Sequence, residues 1–295
     1  MSRPRSFRYK VVDVFTETPL QGNPLAVFPD AGGLDDETMQ GIARELNLSE
    51  TTFVLPSTRA DCAARVRIFT PAREMAFAGH PTIGTSFVLL AEGGVPAGSR
   101  SFSLEEKVGA VPIRVDAGPR PMIWLRTPAL SAGRTFDRAT CARVLGLEPA
   151  DLIDAPPQIW SAGNPTLFIP LATPAAVDRA WLDMRGADEL AHGLPEPICT
   201  FVFAPTPQGA YSRMFAPRLG VAEDPATGSA TGPLAAYMMR HGMAASADGT
   251  RFISEQGSKM KRRSLLHVQI FGVGGKDGID VGGQVTPLID AEMTL

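Results

Sequence analysis

The chain repeats itself, and the repeat limits what it can fold into. "RIFTP" at Arg67–Pro71 returns as "RMFAP" at Arg213–Pro217. Strand-like residues precede each copy, and each is followed by a Gly-rich turn and an apolar run, "GHPTIGTSFVLLA" from Gly79 and "GSATGPLAAYMM" from Gly228. The separation is near half the chain length, so the simplest origin is a duplication that gave two similar domains. Phe87, Val88, Leu89 and Leu90 leave the first run no polar face, and Leu234 to Met239 do the same for the second. A helix that is apolar all round has to be surrounded by protein. The residues around these helices read as short strands broken by Gly and Pro: 7–15, 51–56, 63–70, 101–105, 110–116 and 121–127, then 165–170, 198–204, 209–215, 250–255 and 265–272. The expected fold class is therefore α+β: two mostly antiparallel sheets, each rolled around its own central buried helix.

More ordinary surface helices are expected at 35–46, 137–146 and 174–192. The tail "GGQVTPLIDAEMTL" is expected to give a last strand to the first domain. That places the first domain at 1–128 with 284–295, and the second at 129–283.

Composition narrows the function. With 295 residues, 44% hydrophobic and 20% charged, the chain is globular and long enough for two cores. A net charge of −3 offers no general attraction to nucleic acid or to an anionic membrane. The one basic cluster, Lys259–Arg263, lies between "TRFISEQ" and "SLLHVQIFG" and reads as a solvated hairpin turn. No signal-type apolar segment opens the chain, and no run approaches the ~18 apolar residues of a membrane span. Cys62, Cys141 and Cys199 are far apart and form no CxxC pair, which suits reduced thiols in a cytoplasmic protein. The four histidines are scattered without zinc spacing, so no metal is expected. "GVGGKDG" at 272–278 fails the dinucleotide spacing at Asp277, and there is no phosphate-loop motif.

The candidate chemistry sits at the starts of the two buried helices and at one strand entrance. Pro81 suits the first helical position in "AGHPTIG", and Ser229 or Thr227 suits the cap in "EDPATGSATG". Glycines there let a ligand approach the main chain, and helix N-termini attract carboxylates. If the two helix starts face each other, they make a clamp for a small anion. Glu50 in "NLSETTFVLP" stands where helical spacing gives way to a buried strand, and a carboxylate there is costly unless its charge is paired or used. Taken singly, each residue has an ordinary reading: His80 as a helix cap, Asp224 before Pro225 as a turn former, Ser229 as an N-cap, Glu50 as a carboxylate bonded to nearby amides.

Taken in order, "GNPLAVF" (22–28), "ARELNLSETTFV" (43–54), "RIFTP" (67–71), "FAGHPTIGT" (77–85) and "EDPATGSATGPLA" (223–235) resemble the PhzF-like phenazine-biosynthesis family, relatives of diaminopimelate epimerase and proline racemase. The resemblance runs from Tyr9 to the last strand and is loose at 130–200. It implies two epimerase-like domains with the active site in the cleft between them, a homodimer, and an isomerase that uses no cofactor. The best-known member isomerises trans-2,3-dihydro-3-hydroxyanthranilate. By motif, Glu50 matches the catalytic acid/base, and His80, Asp224 and Ser229 match its active-site companions. Gly79 and Gly228 match the positions whose amides hold the substrate carboxylate.

One carboxylate on one face of a ring can take a proton from a carbon and return it to another. Racemases of the related fold use a thiol on each face. Those places look here like Ala78 and the "EDPATG" turn, and neither holds a cysteine. The residue types favour a proton shift over a two-cysteine racemisation. An amino-acid epimerase and a non-catalytic protein that binds small carboxylates are the competing readings.

Overall fold

The computed structural model describes residues 5–195 and 198–295. The chain divides into two compact units, one running to Arg126 and resuming at Gly282–Leu295, the other Thr127–Val281. The first contains β1 (Ser6–Val14), β2 (Asn23–Phe28), α1 (Asp36–Leu46), β3 (Glu50–Leu55), β4 (Ala64–Phe69), β5 (Glu74–Met75), α2 (Gly79–Glu92), β6 (Ser101–Glu106), β7 (Gly109–Asp116) and β8 (Met122–Arg126). The second contains β9 (Ser131–Thr135), α3 (Arg138–Val144), β10 (Gln158–Ser161), β11 (Thr166–Pro170), α4 (Pro174–Arg179), α5 (Met184–Leu190), β12 (Cys199–Thr206), β13 (Gly209–Ala216), β14 (Val221–Asp224), α6 (Gly228–Arg240), β15 (Arg251–Gln256) and β16 (Ser264–Phe271). The chain ends with β17 (Gly278–Gly283) and β18 (Val285–Thr294), and β18 pairs antiparallel with β1 of the first unit.

The repeat seen in the sequence is a repeat of topology. In the first unit, β1–β2 is antiparallel, β2–β3 parallel, β3–β4 and β4–β5 antiparallel, β4–β6 parallel and β6–β7 antiparallel. In the second, β10–β11, β11–β12, β12–β13, β13–β14, β13–β15 and β15–β16 follow the same series. Parallel neighbours need a crossover. The surface helices α1 and α4–α5 make one crossover per unit, and the central helices α2 and α6 make the other.

Strand alternation divides each core in two. Along β11 and β12, Phe168, Phe201 and Phe203 pack with Leu234, Tyr237 and Met238 of α6. The intervening Leu167, Ile169, Val202 and Ala204 pack on the other face with α3, α4 and α5. Period-2 geometry sends successive side chains to opposite faces, so strands buried on both faces read as continuous apolar runs. In the first unit, Phe28, Phe53 and Phe69 pack under Met39, Ile42 and Ala43 of α1. On the opposite face, α2 touches β1, β2, β3, β4, β8 and β18. Helix and sheet approach closely there: a Cβ on Gly84 would stand 2.6 Å from Leu25 Cδ2 and 2.8 Å from Val14 Cγ2.

The duplicated arginines do the same work twice. Arg67 pairs with Glu74 on β5 and lies over Phe69, and Arg213 pairs with Glu223 on β14 and lies over Phe215. Arg213 has a further task. Its Nη1 donates to the carbonyls of Val177, Asp178 and Ala180, which lie at the end of α4. The single helix expected over 174–192 is therefore two: α4 ends on Arg213, and Asp183 restarts the chain as the N-cap of α5 by accepting from Gly186 N at 2.8 Å. The basic residues 259–263 form a short turn inside the β15–β16 hairpin. Among the described residues, no helix is long and apolar enough to cross a membrane.

Candidate active site

Glu50 is the first residue of β3, and alternation decides where it looks. Phe53 faces α1, so Thr52 faces α2, and its hydroxyl lies 2.8 Å from that of Thr85. Glu50 shares the face of Thr52. Register places Leu25 of β2 opposite Glu50, and Asn23, two residues earlier on β2, shares the Leu25 face. The side chains of Glu50 and Asn23 therefore converge on the start of α2, where His80 is the second residue. His80 Nε2 lies 3.4 Å from Glu50 Oε2, and Asn23 Nδ2 lies 3.2 Å from His80 Nδ1.

These contacts favour one tautomer. The Asn23 amide nitrogen can only donate, so His80 Nδ1 accepts, and the ring proton sits on Nε2, facing Glu50. The ring is 3% exposed, and burial pushes its pKa down to about 3. His80 is thus a neutral donor. The Glu50 side chain is 16% exposed, shielded but reachable.

The second unit holds its own constellation. Asp224 ends β14 and is 6% exposed, and its Oδ2 accepts from Thr227 Oγ1 at 2.6 Å. Gln256, at the end of β15, donates from Nε2 to the Asp224 carbonyl at 2.7 Å and to Thr227 Oγ1 at 3.0 Å. Its Oε1 accepts from Thr227 N at 3.1 Å. Gly228 and the half-buried Ser229 are the first two residues of α6.

Two details differ from the sequence expectation. Helix α2 begins at Gly79, so Pro81 is its third residue and not its first. That position still lies in the turn whose N–H groups have no partner inside the helix. Thr227 occupies the N-cap of α6, but its hydroxyl is turned to Asp224 and makes no cap bond, while Ser229 lies inside the helix. The surface helices α1, α3, α4 and α5 are all capped by their own Asp or Thr. The two central helices have no side-chain cap, which leaves their first amides suited to an anion.

Asn23 and Gln256 were not singled out from the sequence. Asn23 was visible in "GNPLAVF", yet only the β2–β3 register shows that its amide reaches His80. Among the described residues, no group of three metal-ligating side chains is found.

A sequence model described as phenazine biosynthesis-like protein matches residues 12–291. The trans-2,3-dihydro-3-hydroxyanthranilate isomerase of Pseudomonas aeruginosa is 36% identical over 280 residues, 94% of this chain and 95% of that protein. Two solved structures match closely. A predicted epimerase from Pseudomonas aeruginosa superposes with a TM-score of 0.83 at 35% identity, covering 97% of this chain and 99% of the other. A phenazine biosynthesis protein of the PhzF family from Bacillus anthracis superposes with a TM-score of 0.86 at 28% identity, covering 99% and 100%. With its duplicated sheets, its two uncapped central helices and this coverage, the chain belongs to the phenazine biosynthesis-like PhzF family and is an isomerase.

Proposed function

We propose that the protein is a cofactor-independent isomerase. It moves a proton between carbons of a small cyclic amino or hydroxy carboxylic acid, trans-2,3-dihydro-3-hydroxyanthranilate or an analogue. The observation that carries this reading is the approach of Glu50 to within 3.4 Å of a neutral, oriented His80.

Glu50 acts first as base and then as acid. It takes a proton from one ring carbon, and the C–H electron pair enters the conjugated system. The same proton returns to a different carbon, so the double bonds shift with no net oxidation. A positioned acid/base of this kind contributes about 10²–10⁴ in rate. His80 Nε2, 3.4 Å from the carboxylate, is placed to donate to the substrate's hydroxyl or amine without adding a charge. The uncapped amides at Gly79 suit the substrate carboxylate. Asp224, Gly228 and Ser229 are proposed as the second unit's substrate contacts, Asp224 for an ammonium group and the Gly228 and Ser229 turn for a carboxylate.

An amino-acid epimerase of the two-thiol type is disfavoured. Ala78 precedes α2 and Thr227 precedes α6, and neither turn carries a cysteine. The test is to incubate the protein with trans-2,3-dihydro-3-hydroxyanthranilate in D₂O and follow it by NMR. The proposal expects the double bonds to move and one carbon to gain a proton or deuteron. Inversion at a single carbon, with the double bonds unmoved, would establish the epimerase reading instead. Tight binding without turnover would establish a non-catalytic carboxylate binder.

A further inference from the structure

Glu106 ends β6 beneath the first turn of α2, is 4% exposed, and has no part in the proton shift just described. Its Oε1 lies 2.6 Å from Thr82 Oγ1. The same Thr82 oxygen lies 2.7 Å from the carbonyl oxygen of Ala78, the residue that leads into α2. A carbonyl can only accept, and a threonine hydroxyl has one hydrogen to give. That hydrogen cannot serve two contacts this short. A second proton is required, and the carboxyl of Glu106 is the group able to carry it. We propose that Glu106 is a neutral carboxylic acid that donates to Thr82, which donates in turn to Ala78, and that this two-link chain positions the turn carrying Gly79 and His80. The proposal rests on the reading of that turn as part of the isomerase site.

The second unit supplies an independent comparison. Glu105 pairs with Arg65 and Glu255 with Tyr211, each two residues before its repeat arginine, so Glu106 and Gln256 are equivalent. Thr231 repeats Thr82, with its hydroxyl 3.0 Å from the Thr227 carbonyl. Gln256 is a permanently neutral donor, and it gives its hydrogens to a threonine hydroxyl and a main-chain carbonyl just ahead of α6. Both units thus put a neutral side chain with a hydrogen to give beneath the start of the central helix. In one it is an amide, in the other a carboxylic acid.

Burial pushes Glu106 up to about 8, against a smaller downward pull from Thr82. Several charged residues on neighbouring elements are engaged elsewhere. Glu105 accepts from Ser57 and Thr58, Arg67 and Lys107 turn to Glu74, Arg114 pairs with Asp116, and Glu92 pairs with Lys10. His80, two residues before Thr82, is neutral. Above about pH 8 Glu106 becomes a pure acceptor. It then claims the one Thr82 hydrogen, and the Ala78 carbonyl loses it.

The direct test is a ¹³C NMR titration of the glutamate carboxyls in the substrate-free protein, with the Glu106 signal assigned by its loss in Glu106→Gln. The expected midpoint is near 8, moving higher in Thr82→Val. A signal already ionised at pH 6 overturns the proposal. This readout needs no turnover and is repeated in Glu50→Gln, so it stands or falls separately from the isomerase reading. The positioning role is tested by kcat/KM against pH. Wild type should fall about tenfold between pH 7 and pH 9, following loss of the neutral acid, while Glu106→Gln stays flat and Glu106→Leu is low throughout. Superposable profiles for wild type and Glu106→Gln overturn the role.

Discussion

Removing the His80 ring should change how the fold answers to acid. His80 has a folded pKa of about 3, whereas an unstructured histidine titrates near 6.5. The folded value is depressed, so the fold favours the neutral ring. Its contribution is complete above pH 6.5 and is lost as pH falls toward 3. The gap is 6.5 − 3, and at about 1.4 kcal/mol per pKa unit the whole window is on the order of 5 kcal/mol. Between pH 7 and pH 5 the window is crossed only from 6.5 to 5, which is about 2 kcal/mol. Glu106 works in the opposite direction: the unfolded chain ionises near 4.5 and the fold only near 8, so Glu106 costs stability as pH rises between them. A single protein therefore shows only the sum, and the comparison must be between wild type and His80→Gln, which has no group to titrate. Both are placed in a Trp160→Phe, Trp181→Phe background, so that Trp124 on β8 reports the first unit. Urea unfolding by fluorescence at pH 7 and pH 5 gives the four free energies needed. The stability difference between wild type and variant should shift by about 2 kcal/mol against wild type at pH 5. At an m-value of about 2 kcal/mol/M, that is roughly a 1 M movement in relative midpoint. A difference that holds within about 0.5 kcal/mol across the two pH values would refute the reasoning. His80 would then titrate as an ordinary surface ring, and the neutral donor facing Glu50 would not exist.

Further expectations follow from single contacts. Asn23→Leu removes the donor that holds the His80 proton on Nε2; kcat should fall about tenfold or more with KM little changed, and an unchanged kcat would separate Asn23 from the chemistry. A Cβ on Gly232 would stand 2.3 Å from Thr127 Oγ1 and 2.5 Å from its Cγ2, so Gly232→Ala should cost about 1–3 kcal/mol by thermal unfolding, and Thr127→Gly, which also removes the Cβ at 2.9 Å, should restore more of it than Thr127→Ala. Arg213→Met takes the partner from Glu223, whose side chain is 14% exposed, and from the Asp178 and Ala180 carbonyls, and should cost about 3–5 kcal/mol in urea unfolding. Arg67→Met should cost less, because the Asp36 partner of Arg67 is largely solvent-exposed.

The large features were legible because apolar pattern dictates them. Helices without a polar face had to be central, and β18 was readable from the tail even though its pairing with β1 spans the whole chain. Short or unpatterned strands escaped. All five residues of β9 are exposed, β10 and β14 have four residues each, and β2 opens on Asn-Pro with no alternation to mark it. The break between α4 and α5 was hidden because Arg213, far along the chain, takes up the carbonyls that would have continued the helix. Glu50 and His80 were found by motif. Asn23, Glu106 and Gln256 were not, since each acts through a partner fixed only by strand register. Thr227 looked like a cap by its position, and only the structure shows its hydroxyl spent on Asp224.

Everything said of the chemistry depends on Glu50 being the group that carries the proton. Glu50→Gln keeps the size of the side chain that faces His80 Nε2, but it removes the base. The decisive measurement sets the turnover of trans-2,3-dihydro-3-hydroxyanthranilate by this variant beside its affinity for the unreactive 3-hydroxyanthranilate. Turnover should drop by about 10²–10⁴ while the Kd stays within about threefold of wild type. Wild-type turnover in the variant would contradict the account, and so would a loss of binding as large as the loss of rate.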